Sequence, residues 1–309
     1  MKQALPGYAL LFVGIAAVWG IEMFAVPWTD PYITDIVIRI GFNLLAVMGL
    51  ALVLGFTGQF SLGHAGFMAL GAYSAAVFAM HFHAPPMLGV FVGGLVAAAA
   101  GVAVGLPSLR LSGDYLAVVT LGFNGIIIVL IQNASFLGGA QGLTGVPQAT
   151  NFGWTYTWVL LGFVFIRNLL KSAQGRIFEA VRDNEIATRS LGIDTTKAKV
   201  MAFTVGAFWA GIAGGLIAFH RSSIFPNQFQ YDRSIEILAM VVLGGTGSLS
   251  GPMLAGAILS ALPELLRPVA EYRLVIYALM LILMMILRPK GLLGNHEIGD
   301  LFRRKKAAA

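Results

Sequence analysis

The sequence predicts an all-α, polytopic integral membrane bundle of about eight to ten transmembrane helices. Hydrophobic residues make up 58% of the 309 and charged residues only 11%, where a soluble chain carries about a quarter. The mean hydropathy is +0.82. The apolar residues fall in long runs with few charges, and a run of roughly 20 crosses a bilayer core. It does so as a helix, which satisfies its own backbone hydrogen bonds where no water can.

The elements follow in order. "MKQALPGYALLFVGIAAVWG" (1–20) joins the lone Lys2 to an apolar run, as a signal peptide would. No small-residue cleavage site follows, and Trp19, Glu22 and Trp28 fit an uncleaved first span at 8–27. Further spans are expected at 36–56, 62–81, 87–107, 115–133, 154–170, 200–220, 234–246, 252–267 and 272–288. The eighth is too short to cross alone at about 1.5 Å per residue. "GGTGSLSG" (244–251) and Pro252 join it to the ninth, so 234–267 is a broken or re-entrant pair. It is either a bent hairpin or two short helices meeting inside the membrane. "TGQFSLGHAGFMALGAY" (57–73) and "TGSLSGPMLAGAI" (246–258) echo one another faintly, as repeats in transporters do.

No polar segment is long enough for a soluble domain, so 1–309 reads as one transmembrane domain with a charged loop at 171–199 and a basic tail at 289–309. Placing 171–199 in the cytoplasm puts 15 of the 20 Lys and Arg inside, the C-terminus among them, as the positive-inside rule requires. The net charge of +6 is then topological and points to a lipid bilayer, not to nucleic acid. Cysteine is absent, which excludes thiolate metal sites and disulfides.

The charged island, "KSAQGRIFEAVRDNEIATRSLGIDTTKAK", holds ten charges in 29 residues. "IFEAVRDNEIATRSLG" reads as one helix stopped at Gly192. Glu185 and Arg189 are four apart in the supporting orientation, Asp194 with Thr195 can cap the following span, and Ile186 and Leu191 leave a small apolar face. A plain tether would be shorter and richer in Gly, Ser or Pro. A docking helix for a partner is the reading preferred.

"GRIFEAVRDNEIATRSLGID" with "KVMAFTVGAFWAGIAGGL" resembles the cytoplasmic loop and following span of the branched-chain amino-acid ABC transporter permeases. So do "GQFSLGHAGFMALGAY" (58–73), "LRLSGDYLAVVTLGF" (109–123) and "SIEILAMVVLGGTGSLSGPMLAGA" (234–257). The blocks run in order over nearly the whole chain and are most similar to the M-type subunit. The resemblance implies a homologous H-type permease partner, two cytoplasmic ATPases that hold ATP and Mg, and a periplasmic solute-binding protein, in a bacterial inner membrane. It implies no cofactor in this chain. It implies that the loop from Gly175 to Gly192 presents a coupling helix to the ATPases, with Arg176, Arg182, Asp183, Asn184, Glu185 and Ala187 as the positions carried over. The implied solute is a branched-chain amino acid, or a relative such as another amino acid, urea or a short amide.

Gly63, Gly66, Ala69 and Gly71 suit close helix packing. Gln59, Ser61 and His64, polar at the start of that span, are either satisfied structural groups or pathway lining. Gly245, Gly247 and Ser248 in the glycine break carry the same choice between a bend and a place on the solute route. The break lacks the Gly-Lys-Ser/Thr of a phosphate loop, so the chain is expected to be no enzyme and to hydrolyse no ATP itself. Intramembrane charges are functional candidates by default: Arg39, Glu22, Glu236 and Glu264. The rival reading is an ion-coupled secondary transporter using Arg39, His64 and Glu236. It leaves the ordered island without a task. A membrane enzyme lacks any catalytic cluster.

Overall fold

The computed structural model describes residues 5–108 and 113–265, with isolated positions between 272 and 294. The expected tenth span and the basic tail therefore lie outside the described residues, apart from those positions. Helices α1 (Leu5–Phe24), α2 (Pro31–Leu50), α3 (His64–Phe82), α4 (Pro86–Ser108), α5 (Asp114–Asn133) and α6 (Phe152–Lys171) are followed by two short ones, α7 (Ala173–Asp183) and α8 (Glu185–Ser190). Then come α9 (Thr195–His220), α10 (Tyr231–Gly244) and α11 (Ser250–Leu265). Among the described residues, six helical stretches are long and apolar enough to cross a bilayer, in α1 to α5 and α9. The protein is a multi-pass, all-α membrane bundle.

Helix starts are written locally. Asp30 accepts from the Tyr32 amide at 2.9 Å just before Pro31 opens α2, Asn151 caps α6 through the Trp154 amide, and Asp194 caps α9 through the Lys197 amide, as expected. Helix α2 runs on through a π-helical stretch, Ala51–Phe56, a form concentrated at functional sites. Strands β1 (Leu143–Thr144) and β2 (Ser223–Ile224) pair antiparallel, Leu143 opposite Ile224. They fasten the uncharged loop 134–153 over the end of α9, helped by the Ala149 amide donating to the Phe219 carbonyl at 2.9 Å.

Helix α9 is the axis of the bundle, packed mainly against α4 and α3 and then α2. In lipid the drive between helices is close packing, which small residues permit. A β-carbon on Gly71 would overlap the Gly211 carbonyl, and one on Gly214 would overlap the Met68 carbonyl. The α3–α9 crossing is thus backbone against backbone. Helix α1 stands outside against α6, where Trp19 meets Trp154 edge-on at 5.5 Å and Glu22 accepts from the Gly153 amide at 3.0 Å.

Two segments depart from simple crossings. Gly58 to Gly63 is non-helical and runs inward along α9: Gln59 reaches the Lys199 carbonyl at 3.3 Å, while His64 lies against Gly49, which itself meets Gly206. Irregular backbone at this depth needs protein cover. It has it, from the Thr120 hydroxyl accepting the Leu62 amide at 2.9 Å. The second is the α10–α11 pair. Arg233, near the start of α10, donates to Asn43, which in turn donates to Ser260 of α11 at 2.7 Å. Asn43 lies roughly 18 Å along α2 from Pro31, about half-way. The turn at the other end meets Gly55, whose β-carbon would stand 2.8 Å from the Thr246 carbonyl.

The pair is therefore a bent hairpin turning at the face that carries the island. This is the bent-hairpin form of the two expected arrangements, with the glycine turn packed on Gly55 near the end of α2.

Candidate functional site

On the island face the expected single helix is two. Asn184 breaks it, its extended backbone ending α7 while its side chain accepts from the Ala187 amide at 3.0 Å to start α8. Thr188 ties the two together by donating to the Ala180 carbonyl at 2.9 Å. Phe178 and Val181 are buried toward the bundle, whereas Ile186 and Leu191 are about four-fifths exposed, at 81% and 82%. Gly175 has no room for a β-carbon beside the Leu170 carbonyl, which lets α6 turn into α7. Gly192 sits at φ +82° and closes the turn after α8, the stop the sequence predicted. Arg176, Asp183 and Ala187 are exposed.

Two side chains anchor this assembly. The Arg182 guanidinium donates to the Gly55 carbonyl at 3.0 Å, in the π-helical stretch of α2, and to Asp183 at 3.0 Å, while its stem packs on Gly58. Glu185 pairs with Arg189 at 3.6 Å, as expected, and with Lys199 at 2.5 Å. The Lys199 pairing was not legible. Its only signal was a cation five residues into an apolar helix, which must find a partner. Arg182, Glu185, Lys199 and Gln59 line a cavity of about 490 Å³ between the island and the bundle.

Burial alone would raise the Glu185 carboxyl, but the hydrogen bond and charge of Lys199, with Thr195 and Arg189, outweigh it and hold it below 4.5. A depressed folded-state value means the attachment is complete above about pH 4.5 and is lost as pH falls through the lowered value. Hydrogen exchange of α8, corrected for intrinsic rates, should show steady protection from pH 8 to 5 and a drop of about two- to five-fold at lower pH, the scale of a partly exposed pair. Glu185→Gln should show the lower protection throughout. Equal protection in both proteins at pH 7 would deny the pair this role.

Of the other predicted positions, Ser61 and His64 are enclosed. Ser61 accepts from the Gly63 amide at 3.3 Å. His64 is 1% exposed, edge-on to Phe67 at 6.2 Å, and neither ring nitrogen has a hydrogen-bond partner among the described residues. Gln59 lies under the island, bonded to Thr57 and Lys199. Gly245 takes φ +104° and Ser248 accepts from the Gly251 amide at 3.2 Å, both buried at the island-face turn. Gly247 is not in the left-handed region. The tight positions of that turn are instead Gly244, which overlaps Pro252 if given a β-carbon, and Gly251, which overlaps the Gly244 carbonyl.

At the opposite face the short α10 leaves a vestibule of about 440 Å³ above its start. Here the charges expected within the spans find partners: Arg39 with Asp35 at 2.6 Å, His220 with the same carboxylate at 2.6 Å, and Glu236 with Arg233. Arg221 and Glu264 also line it. Burial, followed by the nearby charge of Arg39, lowers the Arg221 guanidinium from its ordinary value.

The bundle thus carries an ordered, internally anchored helical island on one face and a charged vestibule on the other. The family described as branched-chain amino acid transport system / permease component matches residues 32–287. The high-affinity branched-chain amino acid transport system permease protein LivM of Salmonella typhimurium is 35% identical over 95% of this chain and 75% of its own. Its Escherichia coli K12 counterpart is 36% identical over the same shares. The permease protein LivH of Salmonella typhimurium is 31% identical over 47% of this chain and 46% of its own. No solved structure matches. The chain is a member of the branched-chain amino acid transport system permease family.

Proposed function

We propose that this chain is the M-type permease subunit of an ATP-binding-cassette importer for branched-chain amino acids. It works as one transmembrane domain in a bacterial inner membrane, with the island face and C-terminus cytoplasmic. The observation that carries the reading is the island: two capped helices, fastened by Arg182 to the π-helical end of α2 and by Glu185 to Lys199 of α9, present Ile186 and Leu191 outward. Such a part can pass a push from a docked partner into two spans at once. In this reading Gln59, bonded to Lys199, belongs to the same linkage. The partners are a homologous H-type permease, two ATPases holding ATP and Mg, and a periplasmic solute-binding protein. Similarity to LivH as well as LivM supports the homologous pairing.

In proteoliposomes holding the full assembly, leucine uptake should require ATP hydrolysis and persist when the proton gradient and membrane potential are collapsed. Uptake that follows an imposed ion gradient without nucleotide would overturn this in favour of an ion-coupled secondary transporter.

A further inference from the structure

We propose that the vestibule opposite the island is a transient binding site for a zwitterionic α-amino acid with an apolar side chain, its carboxylate taken by Arg221 and its ammonium by Glu264. The inference rests on the reading above that the chain imports such solutes, and it adds the residues that would hold one.

The first observation is the pattern of pairing. Arg39, Arg221 and Arg233 face Asp35, Glu236 and Glu264 across one region of the fold, so the formal charges balance. Arg39 and His220 share Asp35, while Arg233 is taken by Glu236 and Asn43. Arg221 and Glu264 are left without a direct partner, Arg221 feeling the shared Asp35 only at longer range. Both line the cavity, and neither has an ion pair or hydrogen bond among the described residues. A solute with a single negative charge would gain from Arg221 but be opposed by Glu264, and a cation would meet the reverse. A neutral amide would use neither. A zwitterion completes both.

The second observation is the shape and lining. Ile36, Phe42, Ile217 and Phe229 supply apolar wall between these charges. At about 440 Å³ the space falls within the usual range for small-ligand sites. Its floor is the start of α10, where the Ser234 hydroxyl accepts from the Ala65 amide at 3.0 Å, beside the enclosed Ser61 and His64. A solute released from outside would stop here until the bundle opens. Guanidinium and carboxylate match in a planar, two-point fashion, so Arg221 fixes the orientation while the ammonium makes simpler contacts with Glu264.

Two measurements on the complete reconstituted transporter test this. Leucine uptake should fall about ten- to a hundredfold in Arg221→Gln and in Glu264→Gln, the range expected for losing a charge-assisted hydrogen bond, while the other subunits still co-purify. Arg221→Lys should keep a larger share. Separately, leucine should slow modification of Arg221 by phenylglyoxal, read by peptide mass, whereas 4-methylpentanoate and 3-methylbutylamine, each lacking one charge, should protect far less. Uptake within two-fold of wild type in both Gln variants would overturn the proposal. So would equal protection by the singly charged analogues, or loss of uptake only together with loss of assembly. Failure of the wild-type assembly to take up leucine with ATP would instead overturn the functional reading, and the protection measurement stands apart from it.

Discussion

Arg182→Glu should lower leucine uptake at least tenfold in the assembled transporter and loosen both α7 and the end of α2 in hydrogen exchange. The substitution removes a charged donor from the Gly55 carbonyl and leaves two carboxylates side by side at 182 and 183. A hydrogen bond to a charged group contributes about 1.5–3 kcal/mol, and like charges brought together add to the loss. The Arg182 side chain is only 30% exposed, so water compensates little. Asp183→Lys is the informative contrast. Asp183 is 69% exposed and, among the described residues, its ion pair is with Arg182 alone, so the exchange pattern should stay intact while uptake falls through loss of the ATPase contact proposed above. Normal uptake and normal ATPase co-purification in Arg182→Glu would falsify the view that this arginine links the island to α2.

The largest effect on folding is expected at the α3–α9 crossing. Gly214→Leu should yield no monodisperse protein, and Gly214→Ala should already lower the melting temperature by several degrees. Overpacking a core typically costs about 1–3 kcal/mol, and that range supposes neighbours able to shift. Here the obstacle is the Met68 main-chain carbonyl, held in α3 by its own helical bonding. Gly20→Leu in α1, where nothing lies within 4 Å, is the control for adding a side chain to a glycine in a membrane helix. A Gly214→Leu protein that melts with the control would show that the two helices can part at little cost.

Much of this was legible in the sequence because it depends on local or summed properties. Hydropathy gives the six long apolar helices, since burying apolar side chains in lipid needs no particular partner. Caps are local too, and Asp194 and Gly192 took the places their residue types predict. The island's exception is instructive. One charge-rich helix was expected through 183–185, but Asn184 competes for the backbone with its own side chain, as such residues do at helix starts, and divides it in two.

What the sequence by itself determined, then, is a polytopic helical bundle with a charged, ordered island between two spans, and ordered motifs resembling the family that the comparisons show. Only the tertiary structure decided which polar and charged groups meet beyond a helical turn. Glu185 reaches Lys199 fourteen positions on, Arg182 reaches Gly55 across 127, and Arg233 reaches Asn43 across 190. Ion pairs and packing depend on distance in space, and no periodicity along the chain encodes separations of that size. The same reason moved the glycine turn. Its composition announces a break, but its depth is set by where α10 begins against α2, through Arg233 and Asn43. That places the turn under the island, and the open, charged space over the start of α10.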